Sequence, residues 1–137
     1  MENKIKHLEF IQTVITRMNQ NSFQIKGWMI TIVSALLALY ASSGKQIYIL
    51  VAIVPTVIFW FLDTYYLQQE RKFRGVYNDV ACLSPEDSRV DVRDFEMPIQ
   101  KYQCGTYCYF NVLISRTILP LYGVVIIGLV IAYIMLK

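Results

Sequence analysis

The stretch Ile118–Leu136, ILPLYGVVIIGLVIAYIML, carries no charged side chain along its whole length. A bilayer's hydrocarbon core is about 30 Å thick, and a helix rising about 1.5 Å per residue needs roughly 20 apolar residues to cross it. This run has that length. It is also apolar on every side, whereas a helix resting on a soluble core pairs one apolar stripe with a polar face. Two further runs lie upstream: Gly27–Ser43, opened by Lys26 and Trp28, and Ile47–Leu62, interrupted by Pro55. Each reaches only about 25 Å when helical. Local thinning, snorkelling by Lys26 or oligomerisation would absorb that shortfall.

The composition, 55% apolar and 17% charged over 137 residues, fits an oily soluble bundle as well as a membrane protein. The gathering of apolar residues into runs decides for the membrane. The expected fold is all-α: one integral membrane domain of three transmembrane helices at 27–43, 47–62 and 118–136. An amphipathic cytosolic helix over 1–26 precedes them. Lys4, Lys6, Glu9, Arg17 and Lys26 are spread too widely over that helix for a signal peptide.

Ser42-Ser43-Gly44-Lys45-Gln46 is so short a linker that the first two spans form an antiparallel hairpin, with Gly44 suited to a left-handed cap. Trp28, Trp60, Tyr65 and Tyr66 fit an aromatic belt at one interface, with Tyr40 and Tyr48 near the other. Orientation follows from thirteen Lys and Arg. Eleven fall in the N-terminal segment and between the second and third spans, and only Lys45 and Lys137 fall on the other side. The positive-inside rule then places the N-terminus and the central loop in the cytosol and the C-terminus outside.

Leu8, Ile11, Ile15 and Met18 form an a/d stripe of two heptads. The stripe suits packing within the protomer, contact with a partner or second copy, or, widened by Phe10 and Val14, an interfacial helix. Asn19–Ser22 is expected to break or bend this helix before the first span. The second span continues as a cytosolic helix to about Cys82, with Tyr66, Phe73, Tyr77 and Val80 on one face. Its basic cluster Arg71, Lys72 and Arg74 faces solvent or acidic headgroups. Residues 83–111 form a cytosolic loop in which Ser84 and Pro85 read as a helix start, and Tyr102–Ile114 leads as a helix into the third span.

No catalytic constellation emerges: there is no phosphate-cradling glycine loop, nucleophile elbow or paired histidine. His7 reads as a polar-face residue of the N-terminal helix. Cys82, Cys104 and Cys108 lack a nearby fourth ligand for zinc and read as thiols in a reducing compartment. Neither a cofactor nor a metal is expected, and the protein reads as not an enzyme. Asp63 and Arg116 are the charges nearest the hydrocarbon and are expected to anchor at the interface or pair with each other. Thr31, Ser34, Ala38 and Ser42, with Ala35 and Ala41 beside them, form a small-residue stripe. Such stripes let helices approach closely, within one chain, between subunits or around a pore.

The strings His7–Gln12, Arg17-Met18, Asn21–Phe23, Lys26–Trp28, Phe59–Asp63, Tyr65–Leu67 and Gln69–Arg71 resemble sequences of small bacterial membrane proteins of obscure activity. The layout of N-terminal helix, short hairpin and long cytosolic helix is similar to SLATT-type transmembrane effectors of bacterial conflict and anti-phage systems; the third span departs from their two-span pattern. That resemblance implies a homo-oligomeric inner-membrane effector that alters permeability under a cytosolic partner's control. A membrane anchor recruiting a soluble enzyme or sensor is the second expectation, and an ordinary channel or transporter the third. Membrane lipid and further copies of the chain are the expected partners, and nucleic acid is not.

Overall fold

The computed structural model describes residues 1–136, and it is all-helical among them. Two helices, α1 (Glu2–Ser43) and α2 (Ile47–Val80), form a long hairpin. A head of three short 3-10 turns follows, at Glu86–Ser88, Ile99–Lys101 and Gly105–Tyr107. The chain then makes a five-residue helix α3 (Tyr109–Leu113) and a final apolar helix α4 (Leu119–Met135) packed along α2.

The break expected at Asn19–Ser22 does not occur, and α1 runs as one helix of 42 residues, about 63 Å long. Its inward positions explain why. His7, Ile11, Val14, Met18, Ser22, Ile25, Met29, Val33, Leu36 and Tyr40 are buried or half-buried. They follow one another in steps of four, three and four, an 11-residue repeat of about 3.67 residues per turn. That period is close enough to the natural helical twist to keep one face on α2 from end to end. The gain from this packing outweighs the weak helix preference of Asn19, Asn21 and Ser22.

The hairpin closes at Gly44, where φ is +68° and the N–H donates to Tyr40 O at 2.7 Å. Glycine enters that left-handed conformation without the Cβ penalty. Pro55 does not break α2, although it withholds one backbone donor. The helix ends in a Schellman arrangement: Leu83 N–H donates to Asn78 O, Cys82 N–H to Asp79 O, and Cys82 itself has φ +61°.

Two apolar cores result. One gathers Met29, Val33, Ile49, Ala52, Val112, Ile118, Tyr122 and Leu129 between α1, α2 and α4. The other, at the head, centres on Ile11, Ile15, Val76 and Tyr102, with Val90, Val92, Met97 and Ile99 of the loop packed on it. The stripe Leu8, Ile11, Ile15 and Met18 thus turns inward: Ile11 and Ile15 are buried, Leu8 and Met18 half-buried. His7 is also buried rather than on a polar face; its Nε2 lies 3.0 Å from Glu96 O and its ring lies against Phe95. The helix expected over Tyr102–Ile114 is replaced by the last 3-10 turn and α3, and Pro85 precedes a 3-10 turn without a side-chain cap.

Both α1 and α2 contain a stretch long and apolar enough to cross a membrane. Only 17% and 28% of the residues in those stretches are buried inside the protein.

Candidate functional site

Between the two cores lies a polar layer drawn from all three long helices. Asp63 of α2 is 0% exposed. Lys26 Nζ of α1 reaches its Oδ2 at 2.6 Å, and Tyr122 Oη of α4 donates to the same oxygen at 3.0 Å. Ser22, one turn before Lys26, donates its hydroxyl to Asp63 Oδ1 while accepting from Lys26 Nζ at 2.7 Å. Both carboxylate oxygens are therefore occupied. A buried ion pair is tolerated only when such extra hydrogen bonds offset the loss of hydration. Trp60 stacks almost parallel to Tyr122, with centroids 6.3 Å apart, and its indole N–H donates to Leu113 O at 3.3 Å. At the far end of the bundle Gln46 donates to Leu136 O, tying the hairpin tip to α4.

The expected Asp63–Arg116 pair does not form: Asp63 takes Lys26, and Arg116 is exposed in the turn between α3 and α4. Helical pitch explains the preference. Ser22 and Lys26 are four apart on the face α1 presents to α2, so both donors meet one carboxylate. Arg116 is held outside by the turn. Trp60 packs inside rather than joining a surface belt, whereas Trp28 and Tyr65 are exposed.

A second polar centre holds the head. Asp79 Oδ2 accepts the Tyr102 hydroxyl and the Val90 N–H. Along the same helix Gln68 donates to Tyr107 O at 2.9 Å and Arg71 to Thr106 O at 3.1 Å. Arg74 pairs with the buried Glu70 at 2.8 Å. Two of the three residues of the basic cluster therefore hold protein groups, and Lys72 is half-buried. Two clefts of about 440 and 540 Å³ open in the head, the first lined by Lys4, Cys82, Glu86 and Arg89, the second by Asn78, Ser88, Lys101 and Tyr102. Among the described residues no group of three or more His, Cys, Asp or Glu side chains is placed to hold a metal.

Burial, reinforced by Asp79 and Tyr107, pushes the Tyr102 phenol well above the ordinary tyrosine range. The neutral phenol is the favoured form. Its contribution to stability is complete below the usual pKa of about 10 and is lost as pH rises through the higher folded value. Tyr102→Phe should remove one late-titrating phenol from an ultraviolet pH titration. Superimposable high-pH limbs for the two proteins would contradict this environment.

The small-residue stripe has the most distinctive placement. Thr31, Ser34, Ala38 and Ser42 are all exposed, and so are Gly27, Ala35 and Ala41. At roughly 100° per residue they lie nearly opposite the face α1 presents to α2. Packing within the chain, one of the expected uses of the stripe, does not occur. Thr31 and Ser42 satisfy their hydroxyls on Gly27 O and Leu39 O, and a Cβ at Gly27 would meet open space.

No protein-family model, curated protein or solved structure matches this chain. Ser22, Lys26 and Tyr122 were the site residues hardest to see in the sequence. The available signals were the placement of Ser22 within the 11-residue repeat and Tyr122, one of two phenols (with Tyr133) inside an otherwise inert apolar run.

Proposed function

We propose that the chain is a three-span membrane protein that self-associates through the open face of α1 and alters membrane permeability. The head and both helix ends beside it lie in the cytosol on this reading, and the C-terminus lies outside. The observation that carries it is the pairing of two surfaces. Large apolar side chains such as Ile30, Leu50, Val54, Ile58, Val124, Ile127 and Ile134 are exposed around the bundle, far beyond what a water-soluble surface carries. Within that coat, the side of α1 facing away from the bundle is a strip of Gly, Ala, Ser and Thr. Lipid gains nothing from such a strip, whereas a second helix can approach closely along it and exchange hydroxyl hydrogen bonds. The polar layer then keeps α1, α2 and α4 in register beneath the head. The bacterial inner-membrane setting, the defence role and control by a cytosolic partner follow the layout similarity to SLATT-type effectors. Non-enzymatic action follows the same similarity.

Two measurements test this. In a chain with its native cysteines replaced, Ser34→Cys should cross-link between copies in membranes, and Leu39→Cys, on another side of the helix, should not. Ala38→Phe should block the depolarisation that the unaltered chain produces with a membrane-potential dye. Full polarisation under every trigger, with no cross-link at Ser34, would end the proposal. The anchor reading draws on the ordered head, and stoichiometric co-purification of a soluble protein without leakage would select it instead.

A further inference from the structure

The segment between the head and α4 is too short to be a span, yet it lies beside the head-side end of the apolar stretch of α2. Tyr109 Oη donates to Phe61 O at 3.1 Å, and the Trp60 indole donates to Leu113 O. These contacts set α3 level with Trp60 and Phe61, about one helical turn to the apolar side of Asp63. Val112 is fully buried against the bundle. Phe110 and Ile114, four residues apart and so on one face, point away from it and are 70% and 64% exposed. Arg116 follows, exposed, in the turn to α4.

We infer that α3 and the turn after it form an in-plane membrane contact. Phe110 and Ile114 sit in the acyl boundary of the leaflet beside the head, and Arg116 meets phospholipid phosphates. The inference rests on the membrane reading above. Three observations select lipid as the occupant. Phe61 and Leu62 of α2, at the level of α3, and Tyr65 about one turn further toward the head are themselves exposed. The chain here departs from a long helix, and the Val112, Ile114, Ser115, Ile118 and Leu119 N–H groups bond to nearby carbonyls, while the buried Ser115 hydroxyl has no partner. The Leu113 carbonyl, near the end of α3, is further engaged by an indole from another helix. Backbone that meets lipid must find its partners inside the protein. Third, a short element with an apolar outer face and an arginine at its edge has the character of an interfacial segment. The consequence is mechanical: a head held through Gln68, Arg71 and Asp79 is also fastened to the bilayer surface, so tilting the head moves lipid-facing side chains.

Spin labels test this in the full chain carrying Cys82→Ser, Cys104→Ser and Cys108→Ala, reconstituted in nanodiscs of mixed zwitterionic and anionic phospholipid. Labels go at Phe110→Cys, Ile114→Cys, the head control Gln103→Cys and the α4 control Ile127→Cys, all exposed positions whose replacement leaves the cores intact. The readout is collision with dissolved oxygen against collision with a water-soluble nickel chelate. Labels at 110 and 114 should resemble 127, with chelate collision on the order of tenfold below that at 103. If they resemble 103 while 127 remains oxygen-favoured, the inference is overturned and the membrane reading stands. If 127 also resembles 103, both are overturned. Shielding of 110 and 114 from both probes would mean that protein covers this face, which likewise overturns the lipid assignment.

Discussion

Lys26→Met should destabilise the bundle by about 3–5 kcal/mol, the cost of leaving a buried carboxylate without its counter-charge. Asp63 has no exposure, so it cannot turn to water when the ammonium is gone. Ser22 and Tyr122 still donate to it, yet neither supplies charge. The reciprocal change is milder. Asp63→Leu leaves Lys26, whose side chain is already 23% exposed, free to extend its ammonium toward water, so about 1–2 kcal/mol is expected. Replacing both, Lys26→Met with Asp63→Leu, should recover part of the loss, because no unpaired charge remains although the Ser22 and Tyr122 hydroxyls lose their acceptor. Unfolding in mixed micelles, followed by the fluorescence of Trp60 against Tyr122, gives the ranking. Equal stability of Lys26→Met and the unaltered chain, or a larger loss for Asp63→Leu, would show that the layer is not arranged this way.

Gly75→Val should cost about 3 kcal/mol and detach the head from α2. Glycine inside a helix is ordinarily a weakness, and alanine there usually gains about 1 kcal/mol. Here the sign reverses. A Cβ at Gly75 would stand 2.7 Å from Tyr107 Oη and 2.8 and 2.9 Å from two ring carbons of Tyr102. The Tyr107 hydroxyl can swing aside. The Tyr102 ring cannot, because it is buried and its hydroxyl is held by Asp79. Even Gly75→Ala should therefore be destabilising on balance, and valine, bulkier and stiffer, more so. Protease cleavage within residues 90–108 should become rapid in the valine variant. An unchanged cleavage pattern with raised thermal stability would mean that the head does not close over Gly75.

These two sites mark where sequence reasoning stopped. The hairpin was legible because Gly44 and two long apolar runs are local signals, and so was the extension of α2 to the region of Cys82. The continuity of α1 was not, because Asn19, Asn21 and Ser22 look like breakers when judged by propensity. Their role is set by an 11-residue repeat whose reward comes only from a second helix. The partner of Asp63 is not legible for a related reason: sequence offers interface anchoring or Arg116, and only the packing of α1 on α2 brings Lys26 to it. His7 and Asp79 gave no local sign of burial, since what buries them is the returning loop.

The order of residues by itself determined the all-helical class, the position of the turn between α1 and α2, and the two stretches long and apolar enough to cross a membrane. Each follows from period, length and hydropathy, which are properties of neighbours along the chain. Only the tertiary structure decided which charge meets Asp63, that the face of Thr31, Ser34, Ala38 and Ser42 is left open, and that α3 lies beside Trp60 and Phe61. Those outcomes depend on how far each helix rotates when it packs against another. Rotation is chosen by the whole interface at once, and no single stretch of sequence contains it.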